Sequence, residues 1–223
     1  MNRGLYDLEM IELLGHPFSA FTWKPLIAAY SRGLPFLFRT VGPDQPDNSA
    51  RLSALSPTGQ MPGLIDGARE VIESNAIVEY LDRVGEAPPM IPAERDAALK
   101  ARMFADVFDD YVATPMQRIV AEAFRNDAEK DPAGVAQARE VLDRSYNWLQ
   151  QRICAPWAIG EAFTLADCAA APALFYADWV HRIPEGPLRD YRNHLLRHPA
   201  VARVIDEARP FRSYFPRGAP ERD

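Results

Sequence analysis

The sequence predicts an α/β half followed by an all-helical half. Three observations carry that prediction. Short apolar runs of strand length occur only before residue 85, a stiff proline-containing stretch covers residues 86–93, and beyond it the apolar residues recur at helical spacing. The expected division is therefore 1–85, a connector at 86–93, and 94–223.

In the first half, Glu9 to Leu14 has strand length and is closed by Gly15-His16-Pro17. Trp23, Leu26, Ile27 and Tyr30 lie on one helical face, with Gly33 as the stop. Pro25 is tolerated only in a first turn, so this helix is expected to begin near Thr22 or to bend. Pro35 to Val41 reads as a second, parallel strand, which completes a right-handed βαβ unit. Gly42 to Thr58 reads as loop with a short helix near Ser49 to Leu55. Met61 to Ile65 and Arg69 to Ile72 flank Asp66-Gly67, a dipeptide suited to an antiparallel hairpin. Ser74 can cap a helix with Ile77, Tyr80, Leu81 and Val84 on its apolar face, ending at Gly85.

The second half reads as helices throughout. Glu94 to about Arg125 is expected to turn Leu99, Met103, Phe104, Val107, Phe108 and Tyr111 inward, and Ala133 to Ile153 to bury Ala138, Leu142, Ser145 and Leu149. Thr164-Leu165-Ala166-Asp167 has the form of a capping box opening an apolar helix to about Val180. Further helices are expected over Leu188 to Leu196 and Pro199 to Ala208.

Composition narrows the functional classes. Hydrophobic residues make up 48% and charged residues 25%, the balance of a globular protein rather than a disordered one. A formal net charge of −6 argues against general affinity for nucleic acid or anionic lipid. The longest apolar run, Cys168 to Ala177, is half the roughly 20 residues a membrane helix needs. The amino-terminal residues lack the basic and apolar stretches of a secretory signal, so the expected location is cytoplasmic. Cys154 and Cys168 form neither CxxC nor a metal knuckle, and no metal site is expected. GxGxxG, GxxxxGK[ST], GxSxG and HExxH are all absent, which removes the commonest nucleotide, hydrolase and zincin readings.

Four segments in order resemble the cytosolic glutathione transferase family, in particular its serine-type, tau-like and zeta-like classes. They are Pro17 to Lys24 after the first strand, Ser56 to Leu64, Glu73 to Leu81, and Gly160 to Asp167. The resemblance spans nearly the whole chain and implies a thioredoxin-like domain joined to a helical one, a homodimer, and glutathione as co-substrate.

It also implies roles for particular residues. Pro62 would follow a cis peptide bond, which before proline costs far less than elsewhere, and Met61 would pair through its backbone with the cysteinyl part of glutathione. Glu73 would answer the α-ammonium group of the ligand, and Ser74 at a helix amino terminus the γ-glutamyl carboxylate, with Gln60 a further contact. A thiol with pKa near 8.5 needs a donor to stabilise its thiolate; Ser19 takes that role and Thr22 is the runner-up, although either could simply cap the first helix. The chain departs from the family pattern at the basic partner of the glycine carboxylate: no lysine lies in 42–53, which leaves Arg39, Gln45 and Arg51 unranked. His16, Asp167 and Cys168 carry bland expectations as loop, cap and core residues, and Phe104, Phe108 and Tyr111 face either the core, the favoured expectation, or an acceptor-substrate pocket between the domains.

The expected activity is conjugation of the glutathione thiolate to small apolar electrophiles. The alternatives are a glutathione-dependent isomerase or dehalogenase, and a non-catalytic interaction module on the same fold.

Overall fold

The computed structural model describes residues 10–216 and 218–223. Its first half runs β1 (Glu12–Gly15), α1 (Ala20–Ser31), β2 (Leu37–Thr40), α2 (Pro46–Leu55), β3 (Gly63–Asp66), β4 (Arg69–Ile72) and α3 (Ser74–Leu81). The sheet order is β2-β1-β3-β4, with β1 and β2 parallel and the remaining pairs antiparallel. This is the expected thioredoxin-like arrangement. Gly67 adopts φ +59° in the turn between β3 and β4, as the Asp66-Gly67 reading required.

Several boundaries move for physical reasons. The first strand begins at Glu12, and Glu9 lies outside the described residues. Helix α1 begins at Ala20, two residues earlier than expected, because Ser19 caps it and the Ser19 carbonyl already accepts from Trp23 N–H. Pro25 therefore sits past the first turn, buried inside the helix. Helix α2 starts at Pro46 rather than Ser49, with the proline in its first turn. Helix α3 stops at Leu81, so Val84 falls outside it.

The second half holds α4 (Arg95–Phe108), a π-helical turn (Asp109–Ala113), α5 (Thr114–Ala121), α6 (Pro132–Leu149), α7 (Leu165–Val180), α8 (Pro187–Leu196), α9 (Pro199–Ala208) and a 3₁₀ turn (Arg209–Tyr214). The helix expected to about Arg125 runs without interruption from Arg95 to Ala121 and into a 3₁₀ turn over Glu122–Phe124, widened at the π turn just before Thr114-Pro115. Pro115 cannot donate to the turn before it, and the chain widens so that Thr114 N–H bonds to the Asp109 carbonyl.

Leu99, Met103 and Tyr111 were expected inward but are 66, 44 and 55% exposed. Phe104 and Phe108 are buried as expected, and Ala98, Ala101 and Ala105 complete the face that α4 packs against the alanine-rich α7. Small residues let the two helices approach closely, so alanines take positions that size alone would have given to leucine and methionine. Ala138, Leu142, Ser145 and Leu149 are buried on α6 as expected.

One hydrophobic cluster runs through both halves, from Leu13 and Trp23 to Leu174 and Val201. Trp23 packs its ring 5.0 Å from Phe175 and 5.2 Å from Tyr176. The connector is clasped on one side by Arg32, which donates to the carbonyls of Ala87 and Pro88, and on the other by Asp82, which accepts from Met90 and Ile91 N–H. The Thr164–Asp167 capping box is present; buried Asp167 also accepts from Ala158 N–H and the Tyr191 hydroxyl. Cys168 is core, with burial pushing its thiol pKa up.

Candidate functional site

The turn between β1 and α1 is held at three points, each a hydrogen bond from or to a side chain. Trp23 Nε1 donates to the Pro17 carbonyl at 2.6 Å, the Tyr176 hydroxyl donates to the Phe18 carbonyl at 3.0 Å, and Phe18 N–H donates to His16 Nδ1 at 3.0 Å. His16 is thus not a free loop residue: its ring lies edge-on to Phe211 at 4.7 Å and burial lowers its pKa. Ser19 follows this turn. Its Oγ accepts from Thr22 N–H at 3.4 Å, while its own O–H donates to no described residue. The hydroxyl therefore keeps a donor in hand.

Thr22 is different. It is fully buried, its hydroxyl has no partner, and it packs so tightly on β1 that a Cβ at Gly15 would lie 2.5 Å from it. It reaches neither cavity described below, so the structure withdraws it as runner-up donor.

On one side of the first turn of α1 lies a polar cavity of about 330 Å³, into which Gln60, Met61, Pro62, Glu73 and Ser74 all face. The Met61–Pro62 peptide bond is cis. Neither Met61 N–H nor its carbonyl is used in a backbone bond among the described residues. Glu73 has φ +68°, alone among described non-glycine residues, a conformation that costs about 1–3 kcal/mol and clusters at ligand sites. It occupies the cap position of α3, correcting the expectation that Ser74 does. Ser74 is the first helical residue, and the free N–H groups of that turn face the cavity side.

The far wall comes from α4 and the π turn: Asp106, Asp109 and Asp110. Lys24, 1% exposed, bonds to Asp109 from beneath, and Asn75 Nδ2 donates to Asp109 at 3.2 Å and Asp106 at 3.4 Å. Burial pushes the Asp109 carboxyl up and the Lys24 ammonium down, with their mutual attraction opposing both. Sequence reading missed this wall. Its signal was the spacing Asp106, Asp109, Asp110, an acidic helical face in a segment read only for its apolar residues.

On the other side of the same turn is an apolar cavity of about 310 Å³, lined by Phe18, Ser19, Val120, Phe124, Tyr176 and Tyr214 among others. Phe21 and Thr114 border the polar cavity while Ala20 and Met116 border the apolar one, so α1 and α5 form the partition between them. Phe104 and Phe108 are core and line neither.

The candidate partners of a far carboxylate are accounted for elsewhere. Arg51 and Arg39 both bond to Glu12, and they hold its carboxyl down at about 2. Gln45 is exposed at the head of α2 and lines neither cavity. Among the described residues no group of three or more His, Cys, Asp or Glu could hold a metal ion, and no helix is long and apolar enough to cross a membrane.

The family model "Glutathione S-transferase, N-terminal domain" matches residues 13–89, and "Glutathione S-transferase, C-terminal domain" matches 132–207. A probable glutathione S-transferase of Nicotiana tabacum is 27% identical over 177 residues, covering 79% of this chain and 74% of the relative. A probable maleylacetoacetate isomerase of Vibrio cholerae is 28% identical over 174 residues, covering 72% and 78%. The glutathione transferase URE2P8 of Phanerochaete chrysosporium, solved with oxidized glutathione, shares the fold with a TM-score of 0.76 at 21% identity, covering 94% and 99%. With both halves matched in order, and the turn, the cis-proline and the α3 amino terminus assembled around one partition, the chain belongs to the glutathione S-transferase family.

Proposed function

We propose that this chain holds glutathione in the polar cavity and directs its thiolate at small apolar electrophiles in the apolar one. Met61 would align the cysteinyl backbone, the amino terminus of α3 with Ser74 would take the γ-glutamyl carboxylate, Glu73 would answer the α-ammonium, and Gln60 would add a polar contact. Ser19 would donate to the sulfur. The observation that carries this reading is the uncommitted Ser19 O–H beside the partition between the cavities. A donor placed there favours the thiolate over the thiol and so raises the fraction of nucleophile at neutral pH.

Residues 1–85 would then supply the thiol site and 94–223 most of the acceptor wall, with 86–93 as the joint. Exposed Leu99 and Met103, beside the Arg102–Glu79 ion pair at 2.7 Å, support a homodimer formed through this face. The unpaired Cys154 and Cys168 suit a cytoplasmic location.

The test is Ser19→Ala. It should lower kcat/KM for a chromogenic electrophile by about 10²–10³-fold and remove the thiolate absorbance of bound glutathione, while its Kd stays within a factor of about three. Unchanged rates and thiolate absorbance would sink the assignment. The isomerase-named relatives favour a second reading, in which glutathione is regenerated. Product analysis separates the two: a net adduct supports conjugation, and recovery of free glutathione supports isomerisation.

A further inference from the structure

An acceptor that enters the apolar cavity must find partners for its polar atoms among the side chains that line it. Among the described residues none of these is Asp, Glu, Lys, Arg or His. The Tyr176 hydroxyl is committed to the Phe18 carbonyl at 3.0 Å, and on the glutathione reading the Ser19 O–H serves the sulfur. Two donors are left, the Gln117 carboxamide and the Tyr214 hydroxyl, and neither has a hydrogen-bond partner among the described residues. They stand on different walls. Gln117 shares one face of α5 with Val120 and Ala121, three and four residues on. Tyr214 ends the 3₁₀ turn after α9, its ring stacked on His16 with centroids 5.9 Å apart and lying 5.7 Å from Phe211. His16 belongs to the turn that leads into Ser19, so this stacking seats the phenol beside the residue that would activate the thiol.

Resting on the reading of the two cavities as thiol site and acceptor site, we propose that Gln117 and Tyr214 together hold the carbonyl oxygen of a neutral α,β-unsaturated carbonyl compound and determine the specificity of the acceptor cavity. The thiolate sulfur attacks the β-carbon and forms the C–S bond, while the alkene π pair moves toward the carbonyl and leaves the negative charge on its oxygen. Two donors match the two lone pairs of that oxygen and hold it more strongly once the charge has arrived. Water then gives a proton to the α-carbon, and the hydroxide left over takes the proton released when the thiol ionised. The sum is addition of S–H across the double bond. An amide N–H keeps its proton, so Gln117 can stabilise charge but not neutralise it. That suits an enolate, which is protonated on carbon, better than the alkoxide of an opened epoxide, which needs its proton on oxygen. With no lining cation, a carboxylate on the acceptor would be desolvated without compensation.

The experiment measures kcat/KM of the full chain with glutathione and three acceptors: benzylideneacetone, its analogue with a carboxylate on the ring, and benzyl chloride, whose leaving chloride carries the charge away. Gln117→Leu and Tyr214→Phe should each lower the ratio of kcat/KM for the ketone to that for benzyl chloride about tenfold, and the double variant should lower it further. Both side chains are exposed, so melting should hold, and the thiolate absorbance of bound glutathione should persist because Ser19 is untouched. The carboxylated ketone should react at least about tenfold more slowly than the neutral one. A ratio unchanged in both variants, with bound thiolate still present, would overturn the role of the pair and leave the glutathione site standing. Turnover of benzyl chloride but not of the ketone would overturn the substrate class, and a carboxylated ketone used as readily as the neutral one would overturn the restriction to neutral acceptors. No turnover of any of the three would sink the acceptor-site reading together with this inference.

Discussion

The two cavities flanking the first turn of α1 are built by different rules. The polar one is made of backbone and charge: a cis-proline turn, a helix amino terminus reached through a strained Glu73, and carboxylates on a widened helical turn. The apolar one is made of side-chain bulk, with rings from the β1–α1 turn, the turn after α5, α7 and the segment after α9. A backbone device depends on a few local residues at fixed spacing. A wall of rings depends on how distant segments pack. The first kind should fail sharply when one residue changes and the second should degrade by degrees.

The largest expected break is on the polar side. Lys24→Ala leaves Asp109 buried without its cation and should lower unfolding free energy by about 3–5 kcal/mol, measured by denaturant titration. Asp109→Ala in addition should cost less than the sum of the two single changes, because the pair is lost only once.

Glu73→Gly sharpens the contrast, since it separates binding from stability. Glycine relieves the positive φ, so stability should hold or rise by up to about 1 kcal/mol. Glutathione affinity should nonetheless fall about tenfold on loss of the carboxylate. Stability falling in step with affinity would mean that Glu73 is simply structural.

Phe124→Ala should act on the apolar side alone. The ring is 73% exposed and supports no core, so melting should be unchanged, whereas the KM for an aromatic electrophile should rise about three- to tenfold at constant glutathione affinity.

The smallest effects come from pH, and they fall first on the β1–α1 turn and then on β1. Burial lowers the folded pKa of His16 below 6.5, so the stability this side chain lends the β1–α1 turn is present above pH 6.5 and is lost as pH falls through the folded value. Protonation also removes the acceptor for Phe18 N–H, and hydrogen exchange at that amide should quicken there first. Glu12, held at about 2 by Arg51 and Arg39, gives a contribution present above pH 4.5 that is lost only as the pH falls toward 2. Faster exchange along β1 before the turn responds would contradict this order.

The elements that could be read from the sequence were those whose signals are local. Helix α9 begins at Pro199 and ends at Ala208, as its pattern predicts, and the Thr164 box opens α7 at Leu165. Met61-Pro62 and Glu73-Ser74 face one cavity because strand register fixes them: β3 pairs with β4 so that Gly63 lies opposite Ile72, and the two dipeptides stand side by side just beyond. Ser19 could be read for the same reason, as a cap three residues before the N–H it accepts from.

Tertiary packing decided the rest. Thr22 is as good a donor as Ser19 by residue type, and only the close approach of α1 to Gly15 buries it. Leu99 and Met103 fit an inward face by size, but the alanines of α4 and α7 draw the helices together on a different side. Arg39 and Arg51 were free to serve a far carboxylate until the fold set Glu12 between them. The sequence alone determined the order of elements, the turn and the helix terminus that can receive a thiol peptide, because each is specified within a few residues. Only the tertiary structure decided which hydroxyl stays available, which charges are spent on each other and which rings close the second cavity. Those outcomes depend on burial and on partners far apart in the chain.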